Sequence, residues 1–420
     1  RRHTRCSRDW NSDVCSSDLT KENNLFFLYL LFLFFSASIF LFNKHTVGND
    51  STIAEWLINY QGGFTRRGLL GDLAFNISLF FKAKIRFIIF LFQLIFYLIF
   101  LILTYNYIKS IKIDFLLRFA LYTPIFLLFP LAEIESLVRK ETVIFIIFII
   151  FLNLASNKYE KKYCNIYIIF IFPISFLIWE PVIFFFPFIF FILFLKNYKK
   201  NIFSTITKAF IIIFPSLVIF LLVILNPLSD DGHEKMCKDL MHFFQERCYT
   251  ALTMLKTKST IKQQFTDNFS SYKIEYFIRY FLINIIGFLL LLILGAYSKI
   301  HKKKNNFIFK FRSFLSLLMF LLCLVPICYL AMYDWGRVVN ISYTFSIFTY
   351  FFLIKNNYLF IKKNNFYFLI KNFFKNKKYY YIIFFIYCFC WNVKTVISDR
   401  VGSIPLYKII TKSIKILINH

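Results

Sequence analysis

Several signatures of soluble enzymes are missing from this chain of 420 residues. It contains no Walker loop, no GxGxxG turn and no HExxH pair, so chemistry powered by ATP within the chain is not supported. Glycine and proline are scarce, with 10 and 9 residues, and no linker rich in them separates a soluble domain. Acidic residues are also few, 22 against 50 lysines and arginines.

Apolar residues dominate what is present. The chain is 59% hydrophobic and 22% aromatic, with a mean hydropathy of +0.61, a composition that no soluble globular protein has. Runs such as 25–42 and 86–105 are long enough to cross a hydrocarbon core of ~30 Å. We therefore predict an all-α, polytopic membrane protein. The net charge of +28 is better explained by membrane topology than by nucleic acid, and no nucleic-acid partner is expected.

The pattern predicts about eleven transmembrane helices. The stretch 166–195 is interpreted as two short helices that meet at Trp179-Glu180-Pro181, because proline breaks a helix and a carboxylate at the bilayer midplane is costly. The predicted spans are 25–42, 86–105, 115–131, 142–156, 166–179, 181–195, 209–226, 276–297, 313–332, 338–354 and 380–393.

The first nineteen residues differ in composition from the rest. They are polar and lack the Phe/Ile/Asn bias that begins at Lys21, and residues 13–19 resemble the translation of a common sequencing-adapter strand. We interpret residues 1–19 as a sequence artefact. Residues 20–420 are then expected to form a single integral membrane domain.

The distribution of lysine and arginine predicts the orientation. Five loops, 106–114, 157–165, 196–208, 298–312 and 355–379, carry 22 Lys and Arg but only two acids. The positive-inside rule places these loops in the cytoplasm, together with the amino terminus. The outer face then holds two long loops, 43–85 and 227–275. Residues 67–84 are expected to form an amphipathic helix in the outer interface, where lysines can reach water.

The most polar part of the first outer loop is the segment 55–72. Four of the ten glycines of the chain lie here, next to Arg66 and Arg67. Glycine-rich turns allow close backbone approach, and guanidinium groups suit phosphate. The segment is thus a candidate anion site. The alternative is a juxtamembrane turn whose arginines contact lipid headgroups.

Two carboxylates precede these arginines. Asp50 or Glu55 could act as a general base on a sugar hydroxyl, or could bind a metal that neutralises a phosphate. The alternative role is structural, because Asp50-Ser51-Thr52 fits a helix N-cap with an acid in the first turn.

Other charged residues fall near span ends on the same side. Glu180 should be recessed between two short helices, and intramembrane acids are usually functional. Asp334 and Arg337 could pair at i, i+3, and Arg337 could face a pyrophosphate. For Arg139 and its neighbours Lys140 and Glu141, a solvated, salt-bridged loop is the expectation, with a phosphate or sugar contact as the alternative.

The second outer loop contains groups that bind metals elsewhere. Residues 230–234, Asp-Asp-Gly-His-Glu, lack a recognised ligand spacing, so a solvated acidic turn is the expectation. Cys237 and Cys248 would lie ~16 Å apart on one continuous helix. A disulfide between them requires a break in that helix, and no glycine or proline supplies one.

The outline resembles the GT-C class of integral membrane glycosyltransferases over residues 25 to about 297. The long first outer loop with juxtamembrane helices and acids, and the large loop between the seventh and eighth spans, carry this resemblance. The motif Trp-Leu-Ile-Asn-Tyr-Gln-Gly-Gly-Phe-Thr-Arg-Arg-Gly is also similar to unassigned membrane proteins of bacterial surface-polysaccharide clusters. The class usually has an acidic pair in its first loop, whereas Asp50 and Glu55 are separated here.

The resemblance implies transfer of a sugar from a polyprenyl-phosphate carrier to a surface glycan or lipid acceptor, at the outer face of the bacterial inner membrane. Asp50 or Glu55 would be the base, and arginines would stabilise the leaving phosphate. No cofactor is identified, and a divalent metal stays open. The alternatives are a Wzy-like polymerase or ligase and, outside enzymes, a glycolipid flippase. The residues expected to bind substrate are Arg66, Arg67, Arg139, Glu180, Asp334 and Arg337.

Overall fold

The structure, a computed structural model, describes most of the chain. Asp50, one of the two expected bases, lies outside the described residues. These residues are 10–46, 51–111, 115–156, 159–198, 201–257, 260–300, 311, 313–361, 372, 376–399 and 404–418.

The described residues form helices almost throughout. One two-stranded antiparallel sheet pairs β1 (Ser298–Ile300) with β2 (Leu359–Ile361), and Lys299 faces Phe360. Short 3-10 helices cover Glu55–Leu57, Ile134–Ser136 and Glu180–Phe185. The α-helices are α1 Trp10–Thr46, α2 Ser51–Ala54, α3 Leu69–Phe80, α4 Ile85–Ile108, α5 Phe115–Tyr122, α6 Phe129–Ala132, α7 Glu141–Ala155, α8 Lys161–Phe170, α9 Phe172–Ile178, α10 Phe186–Asn197, α11 Ile202–Leu225, α12 Asp230–Phe244, α13 Thr250–Thr257, α14 Ile261–Ser270, α15 Ile274–Tyr297, α16 Phe314–Leu321, α17 Val325–Ala331, α18 Trp335–Lys355, α19 Lys377–Phe389 and α20 Pro405–Ile418.

Eight helical stretches among the described residues are long and apolar enough to cross a membrane. They coincide with eight of the eleven predicted spans, and a polytopic, all-α membrane protein is confirmed to that extent. The predicted spans 142–156 and 380–393 are helices of only 15 and 13 residues, and 115–131 is not a continuous helix. The count of eleven is therefore not confirmed. Helix α3 lies within the expected interfacial segment 67–84, and its place relative to the bilayer stays a prediction.

The predicted span 115–131 is interrupted for a reason visible in the sequence. Pro124 follows the last residues of α5, and α6 begins only at Phe129. At this break the side-chain amide of Asn340, on α18, donates to the carbonyls of Ile125 and Phe126 at 2.8 and 2.9 Å, and the Phe126 carbonyl also accepts from the backbone N–H of Phe129. A polar side chain on a neighbouring helix thus makes the break tolerable in an apolar setting.

The break predicted near Glu180 is present. Helix α9 ends at Ile178, Trp179 has an extended backbone (φ −158, ψ 98), and a 3-10 helix begins at Glu180. Pro181 lies at the start of that helix, where its missing N–H costs nothing. Glu180 is only 8% exposed, so the two short helices place a carboxylate inside the protein as expected.

Helix α18 is the centre of the bundle. Of its apolar stretch, 89% is buried, against 28% for α11. Two of its hydroxyl side chains donate to carbonyls of the preceding turn, Thr344 to Asn340 and Ser346 to Ser342. Helix α18 begins at Trp335, so the central helix of the fold presents its first turn, with Asp334 and Arg337, to the polar segments described below.

The long loop after α11 folds into three helices, α12 to α14. Helix α12 ends where Gln245 adopts a left-handed backbone (φ 58), and the chain then turns back so that Cys237 and Cys248 form a disulfide. The break that the disulfide requires is present, although neither glycine nor proline supplies it. A non-glycine residue supplies the turn, which residue type alone does not reveal.

The glycine-rich segment packs its backbone unusually closely. A Cβ atom added at Gly71 would lie 1.9 Å from the carbonyl oxygen of Ile58 and 2.5 Å from that of Trp56. Helix α3 therefore rests directly on the backbone that follows the 3-10 helix Glu55–Leu57. This contact sets the position of Glu55 relative to α3.

Gly71→Ala should therefore destabilise the protein, by about 1–3 kcal/mol as for other overpacked sites. The obstacle is backbone rather than a movable side chain. The measurement is the thermal unfolding midpoint of the detergent-purified chain. Gly295→Ala is the matched control, since its nearest neighbour, a side-chain atom of Phe314, would lie at 3.2 Å, and it should lower the midpoint less than Gly71→Ala does. Equal midpoints for both variants would contradict the close contact.

Candidate functional site

Four segments that are distant in the chain converge on one group of charged side chains. They are the turn 55–67, the end of the segment 133–141, the break at Glu180 and the start of α18. Apart from Asp50, every residue expected to bind or react with substrate lies in this group. The sequence predicts these residues near span ends on one side, and the fold brings them into one group.

Glu55 is the centre of this charged cluster. Its carboxylate is 1% exposed and contacts three guanidinium groups, Arg139 at 2.7 Å, Arg67 at 3.2 Å and Arg337 at 3.9 Å. Burial alone would raise the pKa of Glu55, but the three arginines outweigh it and hold the pKa well below the usual range of a carboxyl group. Glu55 is thus an anion that orients arginines and has a low affinity for protons.

Arg67 has a strained backbone conformation, and its side chain joins two of the acids of the cluster. Its backbone is left-handed (φ 63), a conformation that non-glycine residues rarely adopt. The side-chain amine of Lys140 donates to the Arg67 carbonyl, and Nη2 and Nε of Arg67 reach the two carboxylate oxygens of Glu180 at 2.7 and 2.8 Å. This bidentate pair fixes Arg67 between Glu180 and Glu55.

Arg139, Lys140 and Glu141 are not the solvated loop that the sequence favours. Their exposed fractions are 9%, 0% and 5%, because they lie between the first loop and α18. Glu141 accepts from Arg337 at 2.8 and 2.9 Å, and Arg139 reaches Asp334 at 3.2 Å. The local sequence resembles a surface loop. These three residues are buried only because the tertiary fold packs them between the first loop and α18.

The pair predicted at i, i+3 is present. Arg337 donates to Asp334 at 2.8 Å, and Arg337 is 2% exposed whereas the Asp334 side chain is 25% exposed. The arginine is therefore held between two acids, Glu141 and Asp334. Only one of these acids reaches solvent to any extent.

Two cavities adjoin the cluster. The polar cavity, of about 370 Å³, is lined by Glu55, Glu135, Arg139, Asp334 and Arg337 among others. The apolar cavity, of about 320 Å³, is lined mainly by hydrocarbon side chains of α11, α17 and the 3-10 helix after Glu180. The lining residues common to both cavities are Arg66, Leu255, Gln264, Ala331 and Met332.

Arg66 lies at the junction of the cavities. It donates to the side-chain oxygen of Gln264 at 3.0 Å, and the amide nitrogen of Gln264 donates to the carbonyl of Ala331 at 2.9 Å. An amphiphile could therefore place a charged group at Arg66 and a hydrocarbon part in the apolar cavity. Sequence reasoning missed Gln264, because a single glutamine in a long loop carries no signal.

Glu135 is the second residue that sequence reasoning did not single out. Its side chain is exposed and lines the polar cavity, and no ion pair of Glu135 occurs among the described residues. Its position two residues after Glu133, in a polar stretch before a span, was the only available hint.

For a metal, the described residues offer little in the cluster itself, because Glu55, Glu141, Glu180 and Asp334 are all bonded to guanidinium groups. The acidic turn expected at 230–234 is the first turn of α12, in which Asp230, Asp231 and Glu234 are exposed. Within the described part of the chain, side chains of metal-ligand type converge elsewhere, where His233, Cys237 and Cys248 meet.

Lys140 gives this cluster a pH dependence. Burial lowers the pKa of its ammonium group to about 7, against the attraction of Glu55. The pKa of lysine in an unfolded chain is ~10.4. Between pH ~7 and that value, Lys140 therefore holds more of its proton in the unfolded chain than in the folded one. Stability should therefore rise with pH in this window and stay level below it.

We expect the thermal unfolding midpoint of the purified chain to increase from pH 7 to 9, and this increase to be smaller in Lys140→Met. Lys262→Met, which removes an exposed lysine, is the matched control and should keep the wild-type slope. Identical pH slopes for wild type and Lys140→Met would show that Lys140 is not forced towards its neutral form.

Comparisons with known proteins assign no family to this arrangement. The chain matches no protein-family model, no curated protein and no solved structure.

Proposed function

We propose that the chain is a membrane glycosyltransferase of the GT-C type. It would transfer a sugar from a polyprenyl-phosphate carrier to a cell-surface glycan or lipid acceptor at the outer face of the bacterial inner membrane, with its amino terminus in the cytoplasm. One observation carries the proposal: a cavity rich in arginines adjoins an apolar cavity, and Arg66 and Gln264 line both. This combination fits an amphiphile with an anionic head.

In this proposal the carrier lies across the junction. Its isoprenoid part contacts the apolar cavity, where Phe184, Phe220, Val223 and Ile327 offer hydrocarbon surface. Its phosphate contacts Arg66, and the sugar extends into the polar cavity towards Asp334 and Arg139. Small-molecule sites commonly combine an apolar wall with a few polar groups that fix orientation.

The reaction is a displacement with inversion. The acceptor hydroxyl oxygen attacks the anomeric carbon, the bond from that carbon to the phosphate oxygen breaks, and the hydroxyl proton passes to a carboxylate. We assign this base role to Glu135, which is exposed in the polar cavity. Glu55 is a weak base because its pKa is lowered, so its role is to orient arginines. Asp50 stays a predicted base.

The phosphate gains negative charge as it leaves, and preorganised guanidinium groups stabilise it. Arg66 and Arg67 line the polar cavity next to Arg337, and the acids around Arg67 and Arg337 prevent these two groups from reorienting. The carboxylate partners thus keep the donors in place before the substrate arrives.

Arg66→Ala should reduce sugar transfer by roughly 10²–10³-fold, the effect of removing one charge-stabilising donor. The assay measures transfer from labelled polyprenyl-phosphate-linked sugar to extracted surface polysaccharide or lipid, in membranes that carry the full chain. Arg247→Ala is the matched control, because Arg247 is exposed and outside both cavities. Equal transfer by both variants would exclude Arg66 from the site.

Glu135→Gln should lower transfer by roughly 10²–10⁴-fold, the usual contribution of a general base. The substitution keeps the size of the side chain but removes its affinity for protons. Glu275→Gln, at an exposed acid in the first turn of α15, should leave transfer unchanged. If Glu135→Gln stays fully active and Asp50→Asn does not, the base is Asp50.

The wild-type result also separates the alternative functions. Transfer of single sugars supports the glycosyltransferase, whereas growth of a chain of repeat units would indicate a Wzy-like polymerase or ligase. Movement of the sugar-lipid across the bilayer without transfer would overturn the enzymatic proposal in favour of a flippase.

A further inference from the structure

A cluster of soft metal ligands lies outside the two cavities. His233 and Cys237 are four residues apart on α12 and so project from the same face of the helix. Cys248 lies beyond the helix end, and the chain turns back to join it to Cys237. The Nε2 atom of His233 is 3.7 Å from Sγ of Cys237 and 3.6 Å from Sγ of Cys248.

These positions are held by contacts other than the disulfide. Arg86, at the start of α4, binds Glu246 at 2.5 Å and the hydroxyl of Tyr249 at 2.8 Å. Glu246 and Tyr249 lie on either side of Cys248 in the chain, so both flanks of Cys248 are bound to α4. The left-handed Gln245 fixes the turn itself. Cleavage of the S–S bond would therefore leave Cys248 close to α12.

The other end of α12 is fixed as well. A Cβ atom at Gly62 would lie 1.8 Å from the carbonyl oxygen of Gly232, so the first turn of α12 rests against the backbone of the glycine-rich loop. His233 is the next residue in the chain. The imidazole is thus carried by a helix turn that cannot move without displacing the loop that bears Arg66 and Arg67.

We propose that His233, Cys237 and Cys248 form, in the reduced chain, a binding site for a thiophilic divalent cation of the Zn²⁺ class. A dithiol reductant converts the disulfide to two thiols and is itself oxidised to a disulfide. The cation then displaces both thiol protons and binds two thiolates and the imidazole nitrogen. Three protein ligands leave a fourth tetrahedral position for water.

The geometry is suited to such an ion. Zinc binds sulfur at ~2.3 Å and imidazole nitrogen at ~2.0–2.1 Å, and tetrahedral angles at these lengths put the nitrogen roughly 3.6 Å from each sulfur. The nitrogen-to-sulfur distances of 3.6 and 3.7 Å already agree. The two sulfurs must separate to roughly 3.8 Å, and the Cα atoms of the two cysteines lie 5.3 Å apart.

The site would connect two helices whichever state it is in. The disulfide joins α12 to the turn that leads into α13, and a bound cation would make the same connection. Leu255 of α13 lines both cavities. The redox state of the two cysteines thus decides whether a disulfide or a metal ion makes the crosslink. None of the three ligand residues has a role in the proposed sugar transfer.

Cobalt is the probe for this site, because Co²⁺ bound to thiolates in a tetrahedral site absorbs strongly in the visible and near-ultraviolet. The full chain is purified in detergent, reduced with dithiothreitol, desalted without oxygen and titrated with CoCl₂. We expect cobalt–thiolate absorption that saturates at stoichiometric metal and is displaced by Zn²⁺. The oxidised chain should show none.

His233→Ala and Cys237→Ser should weaken cobalt binding by more than the roughly 10–100-fold that outer-shell groups cost. Cys323→Ser is the matched control, because Cys323 is an exposed free thiol between α16 and α17. This variant should bind cobalt as the wild type does. His233→Ala keeps both cysteines, so it can fold with its disulfide before reduction.

Two results would overturn the proposal. One is a reduced wild-type chain without cobalt–thiolate absorption, and the other is absorption that His233→Ala and Cys237→Ser leave unchanged, which would place the metal on other thiols. Neither result depends on sugar transfer, so this proposal and the proposed function fail separately.

Discussion

The carboxylate of Glu55 is the constraint on which the candidate site depends. It is buried and lies against guanidinium groups from the first loop, from the residues just before α7 and from the start of α18. A buried charge is tolerated only when it is paired, and loss of one partner typically costs about 3–5 kcal/mol. The three segments are therefore mutually dependent: none can leave without exposing unpaired charge in the others.

Strained backbone accompanies this arrangement. Arg67, and Val138 immediately before Arg139, have φ values of 63° and 45°. Such conformations persist only where the surroundings over-determine them. Here Lys140 binds the carbonyl of Arg67, and the side chains of Trp56 and Gln93 donate to the carbonyl of Val138 at 3.2 and 3.3 Å. The glycine-rich segment thus contributes a tryptophan that positions an arginine outside it.

The long apolar runs could be predicted from the sequence because length and composition alone decide whether a helix can cross a bilayer. The break at Glu180 was also predictable, since Pro181 acts locally. Pro124 likewise interrupts the segment 115–131, but Asn340, which binds the carbonyls at that break, lies on a distant helix and cannot be identified from the sequence. For the same reason Arg139, Lys140 and Glu141 were expected in solvent. Their burial depends on α18, and no local pattern encodes that contact.

The charges already present decide where an added anion binds best. Arg67, Arg139 and Arg337 each contact at least one carboxylate, so these acids offset part of the attraction that the three arginines exert on a phosphate. Arg66 lines both cavities and donates to the side-chain oxygen of Gln264, so a phosphate at the junction can approach its guanidinium group and gain charge attraction. The neighbouring acids then restrict the anion to the junction of the cavities, where the hydrocarbon part of a lipid carrier has apolar surface to contact.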